Sequence, residues 1–144
     1  MSDAGEYAGN VSLIITGRSL DPASVTRALG LKPAQSWRVG ELKQAGNLQL
    51  KTRYQEGGWK CFLTGRAKRA GLDVQLKTWA SILRPNTKSL RTLRSQGNYC
   101  RLVWFAATDA TVSLVIPSEL QSDLARLGLD WEISIFANVS KYAG

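Results

Sequence analysis

The sequence predicts an α+β domain, a mostly antiparallel sheet with helices packed on one face. Three observations predict it. Short stretches rich in β-branched and apolar residues alternate in the manner of half-buried strands. Apolar stripes at helical spacing stand between capping and stop signals. The middle of the chain is strand-rich, with hairpin-like turns at residues 44–47 and at Asp109, which argues against a parallel doubly wound sheet. Two ferredoxin-like halves, each containing a βαβ unit, are one such arrangement. The 144 residues suffice for a single core. Residues 11–137 are expected to form the domain, between polar tails at 1–10 and 138–144.

Residues 11–16 read as the first strand. Asp21-Pro22 then offers an N-cap and a proline at the first helical position, where its missing N–H costs nothing. Val25, Ala28 and Leu29 form the buried stripe of a short helix, Gly30 suits its left-handed end, and Pro33 prevents resumption. Residues 36–42 and 48–54 read as strands, and so do residues 59–64 after Gly57-Gly58. Asp73 suits the N-cap of a second helix with Leu76, Trp79, Ala80 and Leu83 inward, ended by Pro85. Asn86 or Thr87 can cap a third, with Leu90 and Leu93 inward and Gly97 as its stop. Residues 99–107 and 111–116 read as strands. Ser118 with Gln121 reads as a capping box before the stripe Leu120, Leu124 and Leu127. Residues 131–136 alternate as the last strand.

Ser113-Leu114-Val115-Ile116 echoes Ser12-Leu13-Ile14-Ile15, and Leu127-Gly128-Leu129 echoes Leu29-Gly30-Leu31. Duplication of a strand–helix–strand unit and chance likeness both explain this echo.

The net charge is +8, and it is local. Ten of the 19 basic residues but one of the 11 acidic ones lie between Gly58 and Thr108. Such a field favours acidic partners. The chain has no histidine, which excludes imidazole-based triads and His-built zinc sites. The two cysteines, Cys61 and Cys100, sit among apolar residues and are expected as buried thiols, not as a disulfide framework. No apolar run is long enough to span a bilayer, and the acidic start (Asp3, Glu6) is unlike a signal peptide, so the expected location is the cytoplasm.

The candidate binding residues fall in three groups. Lys88, Arg91 and Arg94 share one face of the third helix, with Arg84 extending the patch, and these cations could contact phosphates. Arg66, Lys68 and Arg69 lie in a Gly-bounded loop that reads as a mobile basic finger. Trp37 and Trp59 are expected to line a cleft, and Glu41 is placed to orient a ligand or to pair with Arg38. No catalytic residue, metal site or cofactor is expected.

The order of these signals resembles a bacterial family, domain of unknown function 4279. The likeness rests on Leu20-Asp21-Pro22, Leu29-Gly30-Leu31-Lys32-Pro33, Trp37-Arg38-Val39-Gly40-Glu41 and Gly58-Trp59. It continues through the helix pair broken at Arg84-Pro85 to Ser118-Glu119-Leu120 and Leu127-Gly128-Leu129, across residues 11–137. The family tends to carry acidic helix residues where this chain has Arg91 and Arg94, so the resemblance implies no acidic face here. It implies no enzyme activity. By analogy, some small bacterial proteins of similar build are immunity proteins against toxins. The expected function is therefore a non-enzymatic protein-binding module, an immunity or accessory protein with an acidic protein partner. A nucleic-acid binder using the basic 58–108 region is the alternative.

Overall fold

A computed structural model describes residues 9–108, 111 and 113–137. The expected tails and the turn at Asp109 lie largely outside these residues. Strand β1 (Gly9–Gly17) leads through α1 (Pro22–Leu29) to the short β2 (Gln35–Trp37). A separate hairpin of β3 (Leu42–Ala45) and β4 (Leu48–Arg53) follows, then β5 (Gly57–Phe62). Helices α2 (Leu72–Leu83) and α3 (Thr87–Ser95) precede β6 (Tyr99–Thr108), and α4 (Ser118–Leu127) precedes β7 (Asp130–Ala137).

The main sheet has the order β2-β5-β1-β6-β7. All its pairs are antiparallel except β6 with β7. The fold is therefore α+β. Strand β5 sits between β1 and β2, and β1 sits between β5 and β6, so two split βαβ units interlock in the ferredoxin-like manner. The β3–β4 hairpin is inserted between them, and α4 with β7 extends the sheet by one parallel strand.

One face of this sheet carries the helices. Val11, Leu13 and Ile15 from β1 join Trp59 and Cys61 from β5, Leu102 and Trp104 from β6, and the inward stripes of all four helices in one core. Three tryptophans fill it, Trp59, Trp79 and Trp104. Trp59 Nε1 donates to Thr26 Oγ1 at 3.0 Å, and Trp79 Nε1 to the Val11 carbonyl at 2.9 Å.

Helix α1 forms with the predicted start and stop, but of its expected stripe only Val25 and Leu29 are buried and Ala28 is exposed. The Asp21 carboxylate accepts from the Ala23 N–H, Pro22 opens the helix, and Gly30 closes it at φ 66°. Other caps differ. Helix α2 is capped by Gly71, and Asp73 lies within its first turn. Pro117 precedes α4, and Gln121 reaches back to the Ile116 carbonyl instead of closing a box with Ser118. Asn86 precedes α3 but its side chain donates backward to the Ile82 carbonyl.

Two strand expectations also shift. Residues 36–42 divide into β2 and the start of β3. Residues 111 and 113–116 form no strand, so the echo of β1 at Ser113–Ile116 is one of sequence and not of structure. Leu114 and Ile116 still pack against the core, which accounts for their apolar character.

Candidate functional site

The second face of the sheet carries none of the core cluster. Strand alternation sends Gly58, Lys60 and Phe62 of β5 to it, and Tyr99, Arg101, Val103 and Phe105 of β6. Ile14 of β1 lies between them, paired on one side with Lys60 and on the other with Arg101. Ile14 and Val103 are 5% and 0% exposed, so the long neighbouring side chains cover a hydrophobic floor.

Cations and rings interleave on this face. Lys60 Nζ lies 5.8 Å from the Phe62 ring centre and 5.4 Å from that of Phe105. The Arg101 guanidinium lies 4.8 Å from the Tyr99 ring centre. These are cation–π distances. At the β2 end, Trp37 and Tyr54 stack with ring centres 4.8 Å apart. The Trp37 ring lies over Gly58, where any Cβ would collide with it. The close approach demands glycine at that position.

The two cations of the face are unequally paired. Arg101 approaches Glu132 of β7 at 3.4 Å. That approach falls short of a hydrogen bond, and the buried Arg101 Nε has no hydrogen-bond partner among the described residues. Lys60 has no carboxylate partner among the described residues. Burial lowers its pKa, and the Arg101 charge lowers it further. Asp130, the register partner of Arg101, brings a second β7 carboxylate to this side, so the pairing differs between the two cations: Arg101 lies against β7 acids and Lys60 against none.

The residues singled out from the sequence are spread over the molecule. Trp37 is on this face. Trp59 is not: it is 0% exposed in the core on the other side, because β5 alternates. Arg38 pairs with Asp21 at 2.9 Å, tying the strand after α1 to the cap before it, and so is not paired with Glu41. Glu41 is exposed, and its backbone joins the base of the β3–β4 hairpin.

Arg84, Lys88 and Arg91 are exposed on the helical layer, on the opposite side from the sheet face, with no ion pair among the described residues. Arg94 departs from this stripe. Its guanidinium lies across Gly128, which ends α4 at φ 72°, where a cation suits the helix dipole. Arg66, Lys68 and Arg69 are exposed, but their loop is a 3-10 turn (Gly65–Arg69) held from below. The buried Gln75 amide donates to the Ala70 carbonyl at 2.8 Å and to Gly9 at 2.9 Å, and accepts from the Val11 N–H at 2.8 Å. A turn anchored in this way is not a free finger.

Lys60, Phe62, Tyr99, Arg101 and Phe105 were not singled out by sequence reasoning. The available signal was parity. Trp59, Cys61 and Leu63 are apolar and inward, so Lys60 and Phe62 must face outward, and the same holds for Arg101 and Phe105 against Cys100, Leu102 and Trp104.

A shallow groove of about 520 Å³ runs beside this face, lined by Tyr99, Gln121, Leu124, Trp131 and Glu132 among others. Cys61 and Cys100 are buried free thiols lying elsewhere, and burial raises both pKa values, that of Cys100 to about 11. No three potential metal ligands gather among the described residues. No helix there is long and apolar enough to cross a membrane.

The geometry defines a ferredoxin-like α+β domain with helices on one sheet face and no described helix on the other. The chain belongs to the family described as Domain of unknown function (DUF4279), whose model matches residues 6–138. No curated protein and no solved structure matches it.

Proposed function

We propose that the chain is a non-enzymatic binding module whose open sheet face takes a polyanionic partner. The observation that carries this reading is the pair Lys60 and Arg101. They stand on either side of Ile14 over a hydrophobic floor, and Lys60 makes no ion pair among the described residues. Placing two cations together on a partly dry surface is unfavourable unless an anion arrives to neutralise them. The net charge of +8 adds long-range attraction for the same class of partner. On this reading the protein works in the cytoplasm with both thiols reduced.

Heparin serves as the test polyanion. The wild-type chain should be retained on immobilised heparin and elute with salt. Lys60→Glu with Arg101→Glu should abolish retention. Arg84→Glu with Lys88→Glu and Arg91→Glu should lower the elution salt only modestly, since those residues lie on the other side. Loss of retention in the helix variant alone would refute the assignment.

A second reading is favoured by β7. It is the outermost strand of the sheet, and Ile133, Ile135 and Phe136 are exposed on it. Such an edge suits strand addition by a protein partner, as an immunity or accessory protein in bacteria would require. That reading expects Ile135→Asp to lose a stoichiometric protein partner from the host while heparin retention persists.

A further inference from the structure

The open face offers more than charge. Phe62 and Tyr99 are 40% and 46% exposed, unusually open for large rings on a sheet. They lie at opposite corners of the face. Phe62 pairs with Ser12 of β1, whereas Tyr99 pairs with Thr16 of the same strand, four residues away. Two inter-strand spacings and four residue rises separate the rings by about 17 Å on the diagonal. Lys60 and Arg101 fall between them, each within cation–π reach of the nearer ring.

This diagonal has the order ring, cation, cation, ring. We propose that it is a binding site for single-stranded nucleic acid, with a base stacked on Phe62, a base stacked on Tyr99, and the intervening phosphates on Lys60 and Arg101. The inference rests on the polyanion reading of the same face and names its ligand.

The chemistry favours this ligand over other polyanions. An unpaired base presents a flat π-face that an exposed ring can stack on, and stacking needs no particular sequence. A duplex keeps its bases in its own stack, so it can use the cations but not the rings. An acidic peptide can neutralise the cations but brings no regular series of rings at this spacing. Lys60 has no ion-pair partner among the described residues, so a phosphate that reaches it displaces no carboxylate. The length of the diagonal accommodates about four nucleotides, the lower end of the range for sheet-based single-strand binders.

The test is a fluorescence-anisotropy titration at low salt with labelled twelve-residue oligouridine, oligothymidine and a duplex of equal length. The variants are Phe62→Ala, Tyr99→Ala and Tyr99→Phe, each checked for fold by circular dichroism. Heparin elution is measured in parallel. The expected result is single-strand binding at least tenfold tighter than duplex binding. Phe62→Ala and Tyr99→Ala should each weaken it by roughly tenfold. Tyr99→Phe should keep it, and none of the three should change heparin elution.

Equal affinity for duplex and single strands would overturn the inference, as would affinity indifferent to both alanine variants. Heparin retained through Lys60 and Arg101 with no oligonucleotide bound would also overturn it, while leaving the polyanion reading intact. If neither heparin nor an oligonucleotide binds, both fall.

Discussion

Lys60 and Arg101 are register partners of the same residue, Ile14, on its two sides. Neither contributes to the core, and each adds to the desolvation and repulsion the other meets. Lys60→Met should therefore raise the melting temperature while weakening polyanion binding. The pH dependence has a definite sign. The folded-state pKa of Lys60 lies below its ordinary value of 10.5, so the unfolded chain holds this proton more tightly. Folding the charged lysine carries a penalty at neutral pH, and that penalty fades as pH rises toward 10.5. The advantage of Lys60→Met in thermal melts should shrink over the same interval.

The cysteines give the opposite slope. Burial raises the Cys100 pKa from 9.0 to about 11, so the native chain keeps a proton that the unfolded chain releases. Its stabilising contribution is complete below pH 9.0 and is lost as pH climbs to about 11. The same burial protects the thiols from reaction. A disulfide reagent at pH 8 should find almost no reactive thiol in the native protein and both cysteines after unfolding in guanidinium.

Gln75 is fully buried and hydrogen-bonded to β1 and to the end of the basic turn. Gln75→Leu fills similar space but strands the Val11 N–H and two carbonyls. It should cost about 1–3 kcal/mol for each group that water cannot reach. Chemical denaturation would measure the loss. Proteolysis within Gly65–Arg69 should accelerate in the same variant, since Gln75 is what holds that turn.

Arg94 is structural on this account. Replacing it by Met should lower stability by about 0.3–1 kcal/mol through the C-terminal end of α4, with little change in heparin elution. Arg84→Met should leave stability unchanged within error.

The fold was largely legible from local signals. Asp21-Pro22, Gly30 and the helix stripes act within a few residues, and the structure uses them as the sequence suggests, apart from Ala28, which is exposed. Boundaries that depend on distant partners were not legible. Leu114 and Ile116 are apolar because they rest on the core, and nothing nearby shows that no strand partner exists for them. Ser118 and Asp73 look like caps, yet the chain starts those helices from Pro117 and Gly71. The site was less legible than the fold. Charge clusters along the sequence drew attention to the third helix, whereas Lys60 and Arg101 are 41 positions apart and meet only because β1 lies between their strands. Trp59 misled for a related reason, since one residue of register separates a buried ring from an exposed lysine.

The most direct test of the central claim is an amide chemical-shift titration of the labelled chain with a heparin hexasaccharide. Perturbations confined to β5, β1 and β6, greatest around Lys60, Ile14 and Arg101, are the predicted result. Perturbations centred on Lys88 and Arg91, with the sheet strands unmoved, would contradict it.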